Sequence, residues 1–162
     1  MGRFLGREGG DIVMIAGLLS LVGQRERDAG FRQVLRERYP ACRISAAFET
    51  RESAERAGLA ILEALKENPD VRGVYHMTAG AFEAISALRS QGRSEDVVII
   101  AHELTEDRRT LLKERAIDAI IDQNPELEVR TATELMARLL GRMEGVASTT
   151  ITAVQVYTSE NV

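Results

Sequence analysis

Short apolar runs of strand length alternate with segments of helical periodicity along almost the whole chain, and this alternation limits the possible folds more than any other feature. Strands are predicted at residues 11–16, 43–48, 71–75, 97–101, 117–121 and 150–157, and helices at 24–38, 53–67, 80–90, 106–115 and 125–143. Strands rich in Val and Ile that alternate with helices form parallel sheets, which helices cover on both faces. The expected fold class is therefore α/β, a doubly wound and mostly parallel sheet.

The size and charge of the chain exclude several classes of protein. Its 162 residues suffice for one domain with a proper core, but not for two ordinary domains. A formal net charge of −4 gives no electrostatic reason to bind nucleic acid or an anionic membrane. The single cysteine, Cys42, excludes a disulfide framework and a multi-cysteine metal site, and it fits a reducing compartment. A cytoplasmic location is therefore expected.

The amino terminus allows two interpretations, a core strand or a short signal peptide. The apolar run at residues 12–23 follows Arg3 and Arg7, as in signal peptides. However, Glu8 and Asp11 lie in the flank that should be basic, no small-residue cleavage site follows, and the run is too short to span a bilayer. The core-strand interpretation is favoured.

Polar residues follow most of the predicted strands, where ligands bind in open parallel sheets. A cleft can solvate polar groups at these ends, whereas burial within a strand would be costly. The candidate ligand-binding residues are Ser20, Arg27, Glu49, Thr50, His76, Thr78, His102, Glu103 and Gln123.

Some of these candidates have structural alternatives. Arg27 lies in the first turn of a predicted helix, where a cation opposes the helix dipole. It could reach over the strand edge to hold ligand hydroxyls, it could pair with Glu26, Asp28 or Glu49, or its aliphatic stem could simply cover apolar surface while the charge stays in water. For His76 and His102, a structural role and a ligand-binding role are equally compatible with the sequence.

Motifs for catalysis and cofactor binding are incomplete. The run HELTE, residues 102–106, begins like the metalloprotease motif H-E-x-x-H, but Glu106 stands where the second histidine should be. The two glycine-rich nucleotide-binding motifs, G-x-x-x-x-G-K-[ST] and G-x-G-x-x-G, do not occur. The sequence also does not bring together a nucleophile, a base and a group to orient the base. We therefore expect no cofactor, no metal and no catalytic residue, and a binding module rather than an enzyme.

The run GLLSLVGQRERDAGF, residues 17–31, resembles the lactose-repressor (LacI) family of bacterial regulators, and the similarity continues through HMTAGAFEAISAL and HELTEDRR to VYTSEN. This resemblance implies a two-lobed, type I periplasmic-binding-protein-like sensor for a small effector, usually a sugar or sugar derivative. It implies that Arg27 holds effector hydroxyls, that Gln123 lies at the hinge, and that His102 and Glu103 line the cleft. Many members of the family carry Asn-Asp where this chain has residues 76–78. This departure puts a plain hexose or pentose in doubt as the effector.

The resemblance also predicts how the chain is divided and what it contacts. Residues 1–10 would be the tail of the last helix of an amino-terminal lobe, and residues 11–162 the carboxy-terminal effector-binding lobe. Operator DNA would be bound only through an amino-terminal helix-turn-helix that this chain lacks. Two alternatives remain: the soluble binding component of a sugar transporter, and an α/β enzyme that uses His102 and Glu103 as an acid–base pair.

The helix predicted at 125–143 carries an unusually long apolar stripe. The resemblance implies that this helix packs against the other lobe. On this chain it should fold back onto its own sheet or pass to a second copy, and a homodimer is favoured. The stripe consists of Val129, Ala132, Met136, Leu139 and Met143, widened by Leu135 and Leu140.

Overall fold

The computed structural model describes residues 1–148 and 151–162, and its elements follow the predicted order. The strands are β1 Gly10–Ala16, β2 Cys42–Glu49, β3 Val71–His76, β4 Val98–His102, β5 Ala119–Asp122 and β6 Gln155–Tyr157. The helices are α1 Gly2–Leu5, α2 Val22–Arg38, α3 Ala54–Glu67, α4 Ala81–Ser90, α5 Glu106–Lys113 and α6 Pro125–Leu139.

The strands form one six-stranded sheet in the order β2-β1-β3-β4-β5-β6. Neighbours among β1 to β5 pair in parallel, whereas β6 pairs antiparallel with β5, with Ile120 opposite Tyr157. The predicted fold class is confirmed, because helices cover both faces of a mostly parallel sheet.

The strand predicted at residues 150–157 is wrong in length. Only Gln155–Tyr157 is a strand, residues 151–154 are irregular, and Thr150 lies outside the described residues. The reason is the partner strand: β5 has four residues, so it offers few backbone groups for pairing. Several apolar residues of this segment also stay exposed, among them Ile151 at 94% and Val156 at 56%.

The core lies in two layers, one on each face of the sheet. One layer joins α3, α4 and α5 to β1, β3, β4 and β5, and the other joins α1 and α2 to the opposite face. The predicted inward face of α3 is confirmed, because its five members are buried: Ala57, Ala60, Ile61, Ala64 and Leu65. Leu5 packs in the second layer, so part of the segment 1–10 contacts this sheet.

The contact between α3 and α4 depends on a glycine. Gly80 precedes α4 with φ of 90°, a left-handed conformation that side chains disfavour. A Cβ atom there would lie 2.7 Å from Cα of Ala54 and 2.8 Å from Cβ of Ala57. Gly80 therefore permits both the turn after β3 and the close approach of the two helices.

Helix α6 differs from the other long helices because none of its residues is buried. It ends at Leu139, before Gly141 with φ of 66°, and so is shorter than the predicted 125–143. The predicted apolar stripe is present but exposed, as shown by Val129 at 67% and Leu139 at 71%. The helix does not fold back onto its own sheet, so that alternative is wrong; association with a second copy stays a prediction.

Candidate functional site

A cavity of about 900 Å³ lies at the carboxyl edge of the sheet. Its walls come from the amino-terminal parts of α2, α4 and α5 and from the loops that follow β2, β3 and β4. Three of the predicted ligand-binding residues, Arg27, Thr78 and Glu103, line this cavity. This is the edge at which ligands bind in open α/β sheets.

Arg27 extends from α2 over the end of β3. Its Nη1 donates to the carbonyl oxygen of Met77 at 3.3 Å, and Gln24 Nε2 donates to the same oxygen at 3.0 Å. Its Nε is buried and has no hydrogen-bond partner among the described residues. Two of the alternative partners predicted for it are engaged elsewhere, because Asp28 pairs with Arg32 at 2.9 Å and Glu49 lies 3.9 Å from Arg51. Arg27 therefore lines the cavity with a guanidinium whose donors are not all satisfied within the described fold.

Arg108, which the sequence analysis missed, joins the ends of β3 and β4. This buried side chain donates from Nη2 to the carbonyl oxygen of Thr78 at 2.6 Å, and from Nη1 to those of His102 and, at 3.2 Å, Glu103. Burial lowers the pKa of the guanidinium, although the charges of Glu103 and Glu52 oppose this shift. The sequence did hold a clue, because Arg108 shares the inward stripe of α5 with Leu111 and Leu112.

Glu52 is the second cavity residue that the sequence analysis missed. Its Oε2 accepts from the Thr78 hydroxyl at 2.5 Å and from the Ala79 amide at 3.4 Å. The side chain reaches across the end of β1 because Arg51 and Glu52 both adopt left-handed backbone conformations, with φ of 54° and 60°. Glu103 is also left-handed, with φ of 65°. Such conformations cost roughly 1–3 kcal/mol each and cluster at functional sites.

Four other candidates do not line the cavity. Thr50 is buried and donates from Oγ1 to the carbonyl oxygen of Ala16 at 3.1 Å, so its role in the fold is to join β1 to the loop after β2. Glu49 accepts from the Leu19 amide at 3.3 Å. Ser20 is exposed in the turn before α2, and Gln123 is partly buried after β5. Ligand contacts by these four residues stay predictions.

Both histidines are buried beneath the cavity rather than exposed in it. His76 is inaccessible, and burial, reinforced by the charge of Arg108, lowers its pKa to about 4. His102 Nε2 lies 2.7 Å from the Tyr75 hydroxyl. Burial, and to a smaller extent the charge of Arg27, lowers the pKa of His102 to about 3. Desolvation keeps both rings neutral, and neither lines the cavity, so a ligand contact by either histidine stays a prediction.

Tyr75 connects His102 to helix α2. Its ring stacks on Phe31 with centroids 4.1 Å apart, and burial raises its pKa to about 12. The phenol is therefore protonated and can donate to His102 Nε2. Because Phe31 follows Arg27 by one helical turn, this stacking fixes the part of α2 that holds Arg27 above the sheet.

Within residues 1–148 and 151–162, no three metal-ligating side chains are grouped so that they could hold a metal ion. In the same part of the chain, no helix has the length and apolar character needed to cross a membrane.

Residues 1–143 match the family model described as the periplasmic binding protein domain. The chain belongs to this family. It is 27% identical over 132 residues to the ribose import binding protein RbsB of Bacillus subtilis (strain 168). The aligned region covers 78% of this chain and 40% of that protein.

Solved structures show the same fold as this periplasmic binding protein domain. GanP, a glucose-galactose binding protein from Geobacillus stearothermophilus, has a TM-score of 0.88 at 23% identity, over 99% of this chain and 58% of that one. A periplasmic solute binding protein of an ABC transporter from Actinobacillus succinogenes 130z, solved with bound D-allose, has a TM-score of 0.88 at 20% identity, over 99% of this chain and 55% of that one. The predicted sensor fold is confirmed, whereas membership of the LacI regulators is not.

Proposed function

We propose that this periplasmic binding protein domain is a sugar-binding lobe of a solute-binding protein, the class that delivers sugars to a transporter. The named relatives support this class rather than the predicted regulator, because they bind ribose, glucose and galactose, or allose. The chain spans 40% of the ribose import protein and 58% of the glucose-galactose binding protein, so the proposal concerns one lobe's share of a binding site.

The observation that carries the proposal is the position of Arg27 at the cavity. A guanidinium offers several N–H donors in a fixed plane, which suits the closely spaced oxygens of a sugar. Glu52 and Glu103 offer acceptors to sugar hydroxyls, and Phe82 and Leu111 line the same cavity with apolar surface for the C–H groups of the ring. Because the side chains present bind rather than react, the proposed role is non-enzymatic.

Isothermal titration with D-ribose, D-glucose and D-allose tests this function, with the Arg27→Ala variant beside the native protein. Loss of a charged hydrogen bond should weaken binding by roughly 1.5–3 kcal/mol, about 10- to 150-fold in Kd. The control is Arg25→Ala, because Arg25 is exposed on the same helix and does not line the cavity. Equal affinity in the Arg27→Ala variant and the native protein would remove Arg27 from the site.

A second candidate is the effector-sensing lobe of a LacI-type regulator, favoured by the His-Glu-Leu-Thr run at residues 102–105. In that case effector binding would shift the affinity for operator DNA, and the predicted cytoplasmic location and homodimer would apply. The reading frame upstream of Met1 separates the candidates: a helix-turn-helix supports the regulator, and a signal peptide supports the transporter protein.

A further inference from the structure

Helix α2, which carries the arginine of the proposed site, is held to the protein by few buried residues. The structure describes all of residues 22–38, and within this range only Gln24 and Leu35 are buried. The helix begins after Leu21, an exposed residue whose apolar side chain cannot cap the first amide groups of the helix. Gln24 is therefore the residue that anchors the amino-terminal end of α2.

Gln24 makes this attachment with both ends of its amide group. Its Nε2 donates to the carbonyl oxygen of Met77 at 3.0 Å, and its Oε1 accepts from the backbone amide of Gly17 at 3.4 Å. These two partners follow β3 and β1, which are neighbours in the sheet. The buried side chain of Gln24 thus joins α2 to the ends of two strands at the wall of the cavity.

The two backbone partners require the chemistry of glutamine. A backbone amide only donates and a carbonyl oxygen only accepts, so the side chain between them must offer an acceptor and a donor side by side. A carboxylate lacks the donor, lysine and arginine lack the acceptor, and asparagine is shorter by one methylene group. An apolar residue could fill the same space, but apolar contact has no direction. The two hydrogen bonds of Gln24 therefore fix the orientation of the helix end as well as its distance from the sheet.

The position of Gln24 affects the position of Arg27. The two residues are three positions apart, so their side chains lie on the same face of α2. Both donate to the carbonyl oxygen of Met77, Arg27 from Nη1 at 3.3 Å. A carbonyl oxygen has two lone pairs, so Gln24 leaves one of them for the guanidinium. Arg27 is thus held at one point next to the residue that anchors its helix.

We infer that Gln24 is a positioning residue of this site: it fixes the first turn of α2 to the ends of β1 and β3, and so sets where Arg27 places its guanidinium at the cavity. This inference rests on the proposed function, in which Arg27 holds the sugar. Binding groups must lie within about 0.5 Å of their productive geometry. Because Gln24 acts through Arg27, its loss should weaken sugar binding only while the guanidinium is present.

A double-mutant cycle tests this dependence. Gln24→Met keeps nearly the same side-chain length and removes both hydrogen bonds. Isothermal titration with D-ribose, D-glucose and D-allose compares this variant with the native protein, with Arg27→Ala and with the double variant. We expect Gln24→Met to weaken binding by at least about fivefold in the native background but by less than about twofold in the Arg27→Ala background, because the two residues act as a unit.

A second measurement needs no ligand. The Nε atom of Arg27 is buried, so its N–H proton should exchange slowly with solvent. The exchange is followed by nitrogen-edited NMR, and the spectrum of Arg27→Ala identifies the signal. In Gln24→Met this proton should exchange several-fold faster, because the first turn of α2 has lost its anchor.

Gln33→Met is the matched control for both measurements. Gln33 lies on the same helix, is exposed, and donates to Glu37 at 2.8 Å rather than to a strand. Its replacement should change neither the sugar affinity nor the exchange rate. Urea unfolding curves show whether each variant folds. If Gln24→Met does not fold, Gln24→Asn takes its place, because it keeps the amide group and loses only the reach.

The outcomes separate this inference from the function on which it rests. An equal loss of affinity in both backgrounds overturns the inference, because Gln24 would then support the fold or contact the sugar itself. Native-like affinity or native-like proton exchange in Gln24→Met also overturns it, and all these results leave the sugar-binding proposal intact. If the native protein binds none of the three sugars at millimolar concentration, the proposed function fails. In that case, or if Arg27→Ala binds too weakly to titrate, the exchange rate alone decides whether Gln24 positions Arg27.

Discussion

Replacing Arg108 by leucine removes the guanidinium that connects the ends of β3 and β4. The carbonyl oxygens of Thr78 and His102 then lose buried donors, at roughly 1–3 kcal/mol for each unsatisfied acceptor. Leucine avoids the cost of burying a charged group, which offsets part of this loss. The expected net destabilisation is about 2–4 kcal/mol, which for a domain of this size lowers Tm by about 4–16 °C.

Urea unfolding followed by circular dichroism measures this loss. The dependence of the unfolding free energy on urea concentration should not change, because the folded state buries the same surface. Arg108→Lys should fall between leucine and arginine, since one ammonium cannot reach carbonyl groups in three directions. Arg109→Leu is the control: its side chain is 35% exposed, its ion pair with Glu106 is 3.8 Å long, and it should cost less than about 0.5 kcal/mol. If Arg108→Leu is as stable as Arg109→Leu, the guanidinium does not join the strands.

The buried histidines should make the fold sensitive to acid. Their pKa values lie below that of an unfolded histidine, about 6.5, so the unfolded chain binds more protons as the pH falls. Stability should fall by a few kcal/mol between about pH 6.5 and pH 4, and urea midpoints of His76→Asn should fall less steeply than those of the native protein. Gly80→Ala should lower the free energy of unfolding by about 2 kcal/mol or more, because the added Cβ would clash with α3 and residue 80 has a left-handed backbone conformation. An unchanged urea midpoint would contradict this prediction. Met136→Gln on α6 should change the unfolding free energy by less than about 0.5 kcal/mol, because Met136 is 56% exposed; a large loss in the same urea assay would show that the stripe is covered in solution.

The fold could be predicted from the sequence because its signals are local. The apolar runs that became β1 to β5 are short, Val- and Ile-rich and separated by helical periods, so each element is identifiable alone. The buried face of α3 follows from its own three- and four-residue spacing. The last strand could not be placed in this way, because its length depends on how many groups β5 leaves for pairing.

The candidate site was predictable only where a residue's chain position determines the direction of its side chain. His102 and Glu103 were predicted to share the cleft, but β4 ends at the buried His102 and the backbone turns left-handed at Glu103, so only Glu103 lines the cavity. Glu52 was missed because its reach depends on two consecutive left-handed residues, which the sequence does not indicate. Arg108 was missed because its partners are brought together by the adjacency of β3 and β4, which is a property of the folded sheet.

The antiparallel strand β6 also affects how the protein behaves at high concentration. It is the outermost strand beside β5, which carries the buried apolar residues Ala119 and Ile120. An uncovered β5 would offer a continuous apolar edge to any extended chain, a common route to aggregation. A three-residue strand closes that edge and presents very few free backbone groups of its own. A segment that packs against the core only through Tyr157 and Val162, among its described residues, therefore also covers an edge that would favour aggregation.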